Sequence, residues 1–204
     1  MTTPRDLFIV SMDMESDRPV ERGDLSLALA GAELIDLLDA QAIHLDGGRI
    51  VPTCQLVIPD RLLAEAASSL VREAPYESVA DWLWRRGRNL AAAYLADLEA
   101  DGQITRQQGR RWMLFRTSRL ALVDSPARRQ ATDRWTSDEP VLATLAADVG
   151  IHGRRTEDSP STVDDAVAAV LTALAGALGE LSEERQRRIG RREEAAEDNR
   201  QRGY

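Results

Sequence analysis

The chain has 204 residues, 43% of them hydrophobic, with 26 basic residues against 34 acidic ones and a net charge of −8. That length makes a single domain with a substantial core the default, and the apolar content excludes wholesale disorder. The acidic balance argues against a general nucleic-acid binder, which carries a net basic face.

Only 4% of the residues are aromatic, so the core must be built from Leu, Ala, Val and Ile. Every basic residue is Arg. A GC-rich genome accounts for this without function, although Arg also favours bidentate contacts with anions. The single cysteine, Cys54, has no intramolecular disulfide partner and reads as a small apolar filler in a reducing compartment. His44, the nearest base, lies in no recognisable catalytic motif with it. The opening MTTPRDLFIV lacks the charged start, apolar core and cleavage site of a signal peptide. The longest uncharged apolar run, Ala166–Gly179, is shorter than the roughly 20 residues of a spanning helix. A soluble, cytoplasmic protein is expected, with any membrane contact peripheral.

In chain order the pattern is mainly helical. Asp6–Met12 reads as a short first helix, ended by the polar ESDRP segment. Asp24 is placed to cap a second helix whose Leu25, Leu29, Leu34, Leu37 and Leu38 form a broad apolar face. Then comes IHL-DGG-RIV, where Asp46-Gly47-Gly48 suits a tight turn between two β-type runs and predicts a hairpin. Pro59-Asp60 opens a third helix through about Arg72, with Leu62, Leu63, Ala66 and Leu70 inward. Ser78 caps a helix through Arg86 that carries Trp82 and Leu83, and Leu90–Ala100 forms another, stopped at Asp101-Gly102. A ribbon over about residues 103–123 follows, with Gln103–Thr105 as one strand, the basic polar turn RQQGRR as its loop and the run WMLF opening the second strand. Pro126–Trp135 and Pro140–Val149 are two further helices. After a connection rich in Gly, Arg and Asp, Thr162 and Asp165 suggest a capping box variant. The last long helix has Val163, Val167, Val170, Leu174, Leu178 and Leu181 on one side. Beyond Leu181 the sequence is almost entirely charged, with little to bury. The expected organisation is a helical domain over residues 1–181 and a charged tail over 182–204. Loss of the tail should hardly change stability unless it is an oligomer contact.

An ordered set of segments carries a family resemblance across about residues 6–149. It comprises DLFIVSMDM, AGAELIDLL followed by a hairpin, IPDRLLAEAASSL, SVADWLW, ADGQIT, and the ribbon WMLFRTSRLALVD. In this order they resemble the Golgi phosphoprotein 3 family. The resemblance implies a mainly α fold, a single helical-bundle domain with a short β-hairpin and a β-ribbon. It also implies a non-enzymatic, adaptor-like peripheral membrane protein with no cofactor, catalytic residue or metal site.

Eukaryotic members of that family grip the phosphorylated inositol head of phosphatidylinositol 4-phosphate with a tryptophan, an arginine of the second helix and a basic pair one turn apart. Carried over by position, the tryptophan falls near Glu21, the arginine near Ala30, and the pair on Arg88 and Ala91. Arg88 keeps the charge, and Arg22, Arg85 and Arg86 are the neighbouring substitutes for head-group binding. The family's ribbon dips apolar residues into the bilayer. Here Trp112, Met113, Leu114 and Phe115 stand at that place, flanked by Arg110, Arg111, Arg116 and Arg119, a pattern suited to anionic lipid heads. Alternate ribbon members, such as Met113 and Phe115, could equally point inward, because a ribbon needs one buried face.

The expected partners are anionic membrane lipid, including a phosphoinositide, and the tails of membrane proteins at the inner membrane face. Nucleic acid is not expected, and a homo-oligomer is left open. The alternative is a winged-helix-like DNA-binding regulator built on Val79–Val123, with Arg106, Arg110 and Arg111 in its wing. An enzyme is the least supported class. Two histidines, one cysteine and no Gly-rich phosphate loop leave only scattered carboxylates.

Overall fold

The computed structural model describes residues 2–13, 20–53, 57–108, 118–152, 164–201 and 203. In order these form α1 (Thr3–Asp13), α2 (Arg22–Asp39), β1 (Ile43–Asp46), β2 (Arg49–Pro52), α3 (Arg61–Ser68) and α4 (Val79–Arg86). They continue with α5 (Leu90–Ala100), β3 (Ile104–Gln108), β4 (Ser118–Leu122), α6 (Pro126–Thr136), α7 (Pro140–Asp148) and α8 (Asp165–Gln201). The fold is mainly α with two antiparallel strand pairs, β1 with β2 and β3 with β4.

Helix α2 is the axis of the bundle. The sequence pattern anticipates a broad apolar face, yet every residue from Leu25 to Ile35 is buried. Helices α1, α4, α5 and α8 all pack on it, and its small residues permit that crowding. At Gly31 a Cβ would sit 3.4 Å from Leu174 and 3.8 Å from Leu83, so α8 and α4 approach the α2 backbone directly. Trp82 of α4 is fully buried and donates its indole N–H to the Ala30 carbonyl at 3.2 Å. The bond satisfies the only polar atom of a large apolar side chain.

Helix starts and stops show where the chain departs from its local signals. The first helix begins at Thr3, ahead of Asp6, because its N-terminus is capped from outside: Asp36 of α2 accepts the Thr3 N–H at 2.8 Å. Asp24 does not cap α2. That helix starts two residues earlier, with Glu21 in extended conformation, and Asp24 is paired with Arg185 at 2.8 Å. The third helix is capped by Asp60, which accepts from the Leu63 N–H at 2.9 Å, but ends at Ser68 and not near Arg72. The Ser68 and Ser69 hydroxyls bond back to the carbonyls of Ala64 and Ala66, at 2.8 and 2.9 Å, and close the last turn. Ser78 caps α4 as its position suggested. Gly47 and Gly48, at φ 55° and 78°, make the β1–β2 turn, a pairing of signs that only glycine adopts freely at both positions. Thr162 and Val163 lie outside the described residues.

Helix α8 is continuous from Asp165 through the charged run to Gln201. By length and composition it is able to cross a membrane, in contrast to the reading of the shorter uncharged run. In this fold Val167, Val170, Leu174 and Ala177 are buried instead, against α2, α4 and α7.

Candidate functional site

Of the residues marked as head-group contacts, Arg22 stands at the start of α2 and Arg85, Arg86 and Arg88 stand around the α4–α5 turn, which lies against α2. Ser26 joins the two. Its hydroxyl donates to the Arg22 carbonyl at 2.7 Å and accepts the Ala91 N–H at 3.1 Å. Gly87 lets the turn lie against α2: an added Cβ would stand 2.5 Å from the Leu83 carbonyl oxygen and 3.1 Å from Leu27. Asn89 follows in the left-handed region at φ 58° and turns the chain into α5. We expect Gly87→Ala to lower the unfolding free energy by about 2 kcal/mol, because overpacking at a tight contact displaces backbone. A urea midpoint equal to wild type would show that the turn can give way at no cost.

The four candidate arginines divide into two pairs. Arg88 and Arg22 are exposed, and neither makes an ion pair among the described residues. Arg85 is held by Glu77 at 2.7 Å and its guanidinium lies 5.0 Å from the Trp82 ring centroid, a cation–π contact. Arg86 faces inward. Its side chain is 10% exposed and grips the fully buried Glu33 through two bonds of 2.8 and 2.9 Å. Glu65 and the Leu62 carbonyl take two more of its donors at 2.9 and 3.0 Å, while the Tyr94 hydroxyl donates to Glu33 at 3.0 Å. Burial works against the Arg86 charge, but the hydrogen bonds and charge of Glu33 outweigh it and hold its pKa above the ordinary value. Burial pushes the Glu33 carboxyl up, against the pull of Arg86 and Tyr94. Arg86 is therefore a core residue of the bundle, whereas Arg88 and Arg22 stay exposed.

At the other family positions, Glu21 is exposed, whereas Ala30 and Ala91 are buried at 0% and 6% exposure. One basic residue at this edge went unmarked. Arg185 reaches it from α8, lies beside Gly23 and is neutralised by Asp24. Its place in a charged run carries no signal of that contact.

The ribbon candidates Arg110, Arg111, Trp112, Met113, Leu114 and Phe115 lie outside the described residues. The arms that lead to them pair in register from Ile104↔Leu122 to Gln108↔Ser118, with Ile104 buried at the base.

A cleft of about 830 Å³ opens elsewhere, between the start of α1, the start of α3 and the end of α5. Its charges satisfy one another. Asp97 accepts from Arg61 at 2.6 Å and from Arg5, which also pairs with Asp60 at 2.7 Å and Asp101 at 2.8 Å. Among the described residues no cluster of His, Cys, Asp and Glu is arranged to hold a metal ion.

No curated protein matches the chain. The family model described as Golgi phosphoprotein 3 (GPP34) matches residues 4–202, essentially all of it, and the chain belongs to that family.

Proposed function

We propose that the protein is a non-enzymatic, adaptor-like peripheral membrane protein that docks on anionic lipid at the inner membrane face. The head group, a phosphoinositide in the family's manner, meets Arg88 and Arg22, and the Trp112–Phe115 ribbon enters the lipid beside Arg110 and Arg111. Tails of membrane proteins are the proposed protein partners. The observation that carries this reading is Arg88: an exposed arginine without an ion pair among the described residues, standing at a basic position of the family in the α4–α5 turn that lies against α2. A DNA-binding role is the weaker reading because the chain carries a net charge of −8.

Sedimentation with lipid vesicles tests the proposal. Each Arg near an anionic surface adds roughly 1 kcal/mol, so Arg22→Glu with Arg88→Glu should weaken binding at least tenfold, roughly, at low salt. High salt should narrow the difference, because exposed charges are screened. Trp112→Ala with Phe115→Ala should cost about tenfold or more through lost apolar insertion, at all salt concentrations. Vesicles bearing phosphatidylinositol 4-phosphate should bind more tightly than vesicles of equal charge without it. Folded variants of both kinds that sediment like wild type would remove the reading.

A further inference from the structure

The charged end of α8 carries an unusual arrangement. From residue 187 the sequence reads RRIGRR and then EEAAED. Charge is inverted about the Arg192–Glu193 bond, with a basic pair, two small or apolar residues and a basic pair mirrored by acidic, small and acidic pairs. A lone helix gains little from this order beyond the pairs that Glu183 and Glu184 make with the basic block. Positions four apart carry like charges in Arg187–Arg191, Arg188–Arg192 and Glu193–Glu197, which is unfavourable on one helix. The acidic block also lies toward the helix C-terminus, where the macrodipole disfavours it. Among the described residues Arg192, Glu193, Glu194 and Glu197 form no ion pair. Arg187, Arg188 and Arg191 share the partially exposed Glu184, at 3.7, 2.8 and 3.3 Å, and Arg187 also meets Glu183 at 3.8 Å.

The geometry of the helix gives the block room for a partner. Among the described residues, Arg185, paired with Asp24, is the last residue of α8 held by an ion pair to the bundle. Beyond it Gln186–Gln201 extends for roughly 24 Å at 1.5 Å per residue. The midpoint of that overhang falls next to the point of charge inversion. The helix face that packs through Val167, Leu174 and Leu178 continues along the overhang through Ile189 and Ala196, at helical spacing. Ile189 is 55% exposed, and Gly190, Ala195 and Ala196 leave little bulk beside it.

We propose that this overhang is a dimerisation surface whose occupant is the same segment of a second copy of the chain, running antiparallel. Two-fold symmetry about the 192–193 level sets Arg191 and Arg192 of one protomer level with Glu194 and Glu193 of its partner, and Arg188 level with Glu197. Ile189 comes level with Ala196, so the small residues of one chain admit the apolar side chain of the other. The surface is self-complementary, as an isologous interface requires. A parallel pairing would stack like blocks and is excluded by the same charges. The inference is independent of lipid binding.

Sedimentation velocity on the full chain at low salt tests it. Wild type should sediment as a dimer of the 22.5 kDa chain, and added salt should dissociate it because the attraction is between exposed charges. Arg191→Glu with Arg192→Glu makes residues 191–194 uniformly acidic, and Glu193→Arg with Glu194→Arg makes them uniformly basic. Each variant alone should self-associate at least tenfold more weakly, roughly, because like charges then face each other. An equimolar mixture of the two should recover the dimer as a heterodimer. A wild type that stays monomeric at low salt would overturn the proposal. So would variants that dimerise as well as wild type, or a mixture that does not associate.

Discussion

Glu33→Ala is expected to lower stability by about 3–5 kcal/mol, because it leaves a buried guanidinium without its main partner. Arg86 would keep only the half-exposed Glu65 and the Leu62 carbonyl, while the buried Tyr94 hydroxyl would lose its acceptor. For a chain of this length a loss of that size corresponds to a fall in Tm of about 10 °C. Arg86→Ala should do comparable damage by exposing Glu33 to an apolar surround. Replacing both together, Glu33→Leu with Arg86→Met, should cost far less than either single truncation, since no uncompensated charge then remains. Thermal melts of the three variants decide the matter. A Glu33→Ala protein that melts with wild type would mean that the pair is hydrated and not sealed in the bundle.

The second large effect concerns pH and the seam between α1 and α2. Asp36 is pushed from an ordinary 3.8 up to about 6, first by burial, against the opposing hydrogen bond from Thr3. A carboxyl whose pKa is higher in the folded state binds its proton more tightly there. Its contribution to stability is complete below the unfolded pKa and disappears as pH rises through about 6. A shift of one unit is worth about 1.4 kcal/mol, which puts the ceiling near 3 kcal/mol and, after solvent screening, roughly half of that. Asp36→Asn keeps an oxygen to accept the Thr3 N–H and removes the charge. It should therefore be more stable than wild type at neutral pH, with the gap closing on acidification between about 6 and 4. Burial pushes Asp6 in the same direction, against the Arg134 ion pair at 2.6 Å, so the wild-type profile carries both contributions. Urea unfolding across that range provides the measurement. Parallel profiles for Asp36→Asn and wild type would show that Asp36 titrates as an exposed carboxylate.

Much of the fold is legible in the residues because its signals are local. Ser78 before an apolar-periodic segment, Asp101-Gly102 after one, and Asp46-Gly47-Gly48 between two short β-type runs each act within a few residues. The structure places helix boundaries or a hairpin turn at those positions. The ordered series of such segments also sufficed to identify the family, which the match over residues 4–202 establishes. The candidate site is less legible, because a side chain's role depends on what lies across from it. Arg85, Arg86 and Arg88 sit within four positions and look alike in sequence. One stacks on Trp82, one enters the bundle to meet Glu33, 53 residues earlier, and one is left exposed. Asp24 looked like a helix cap, yet Arg185 claims it across 161 residues.

By itself the sequence determined the helical class, the order of elements, the hairpin turn, the family and the inverted charge blocks at the end of α8. All of these follow from periodicity, turn chemistry or composition along the chain. Tertiary structure alone decided that α2 is buried from Leu25 to Ile35, that Asp36 caps a helix other than its own, and which arginines stay exposed. The physical reason is desolvation: an Arg or Asp must find a partner once neighbouring helices exclude water, and which partner is available depends on packing between distant segments.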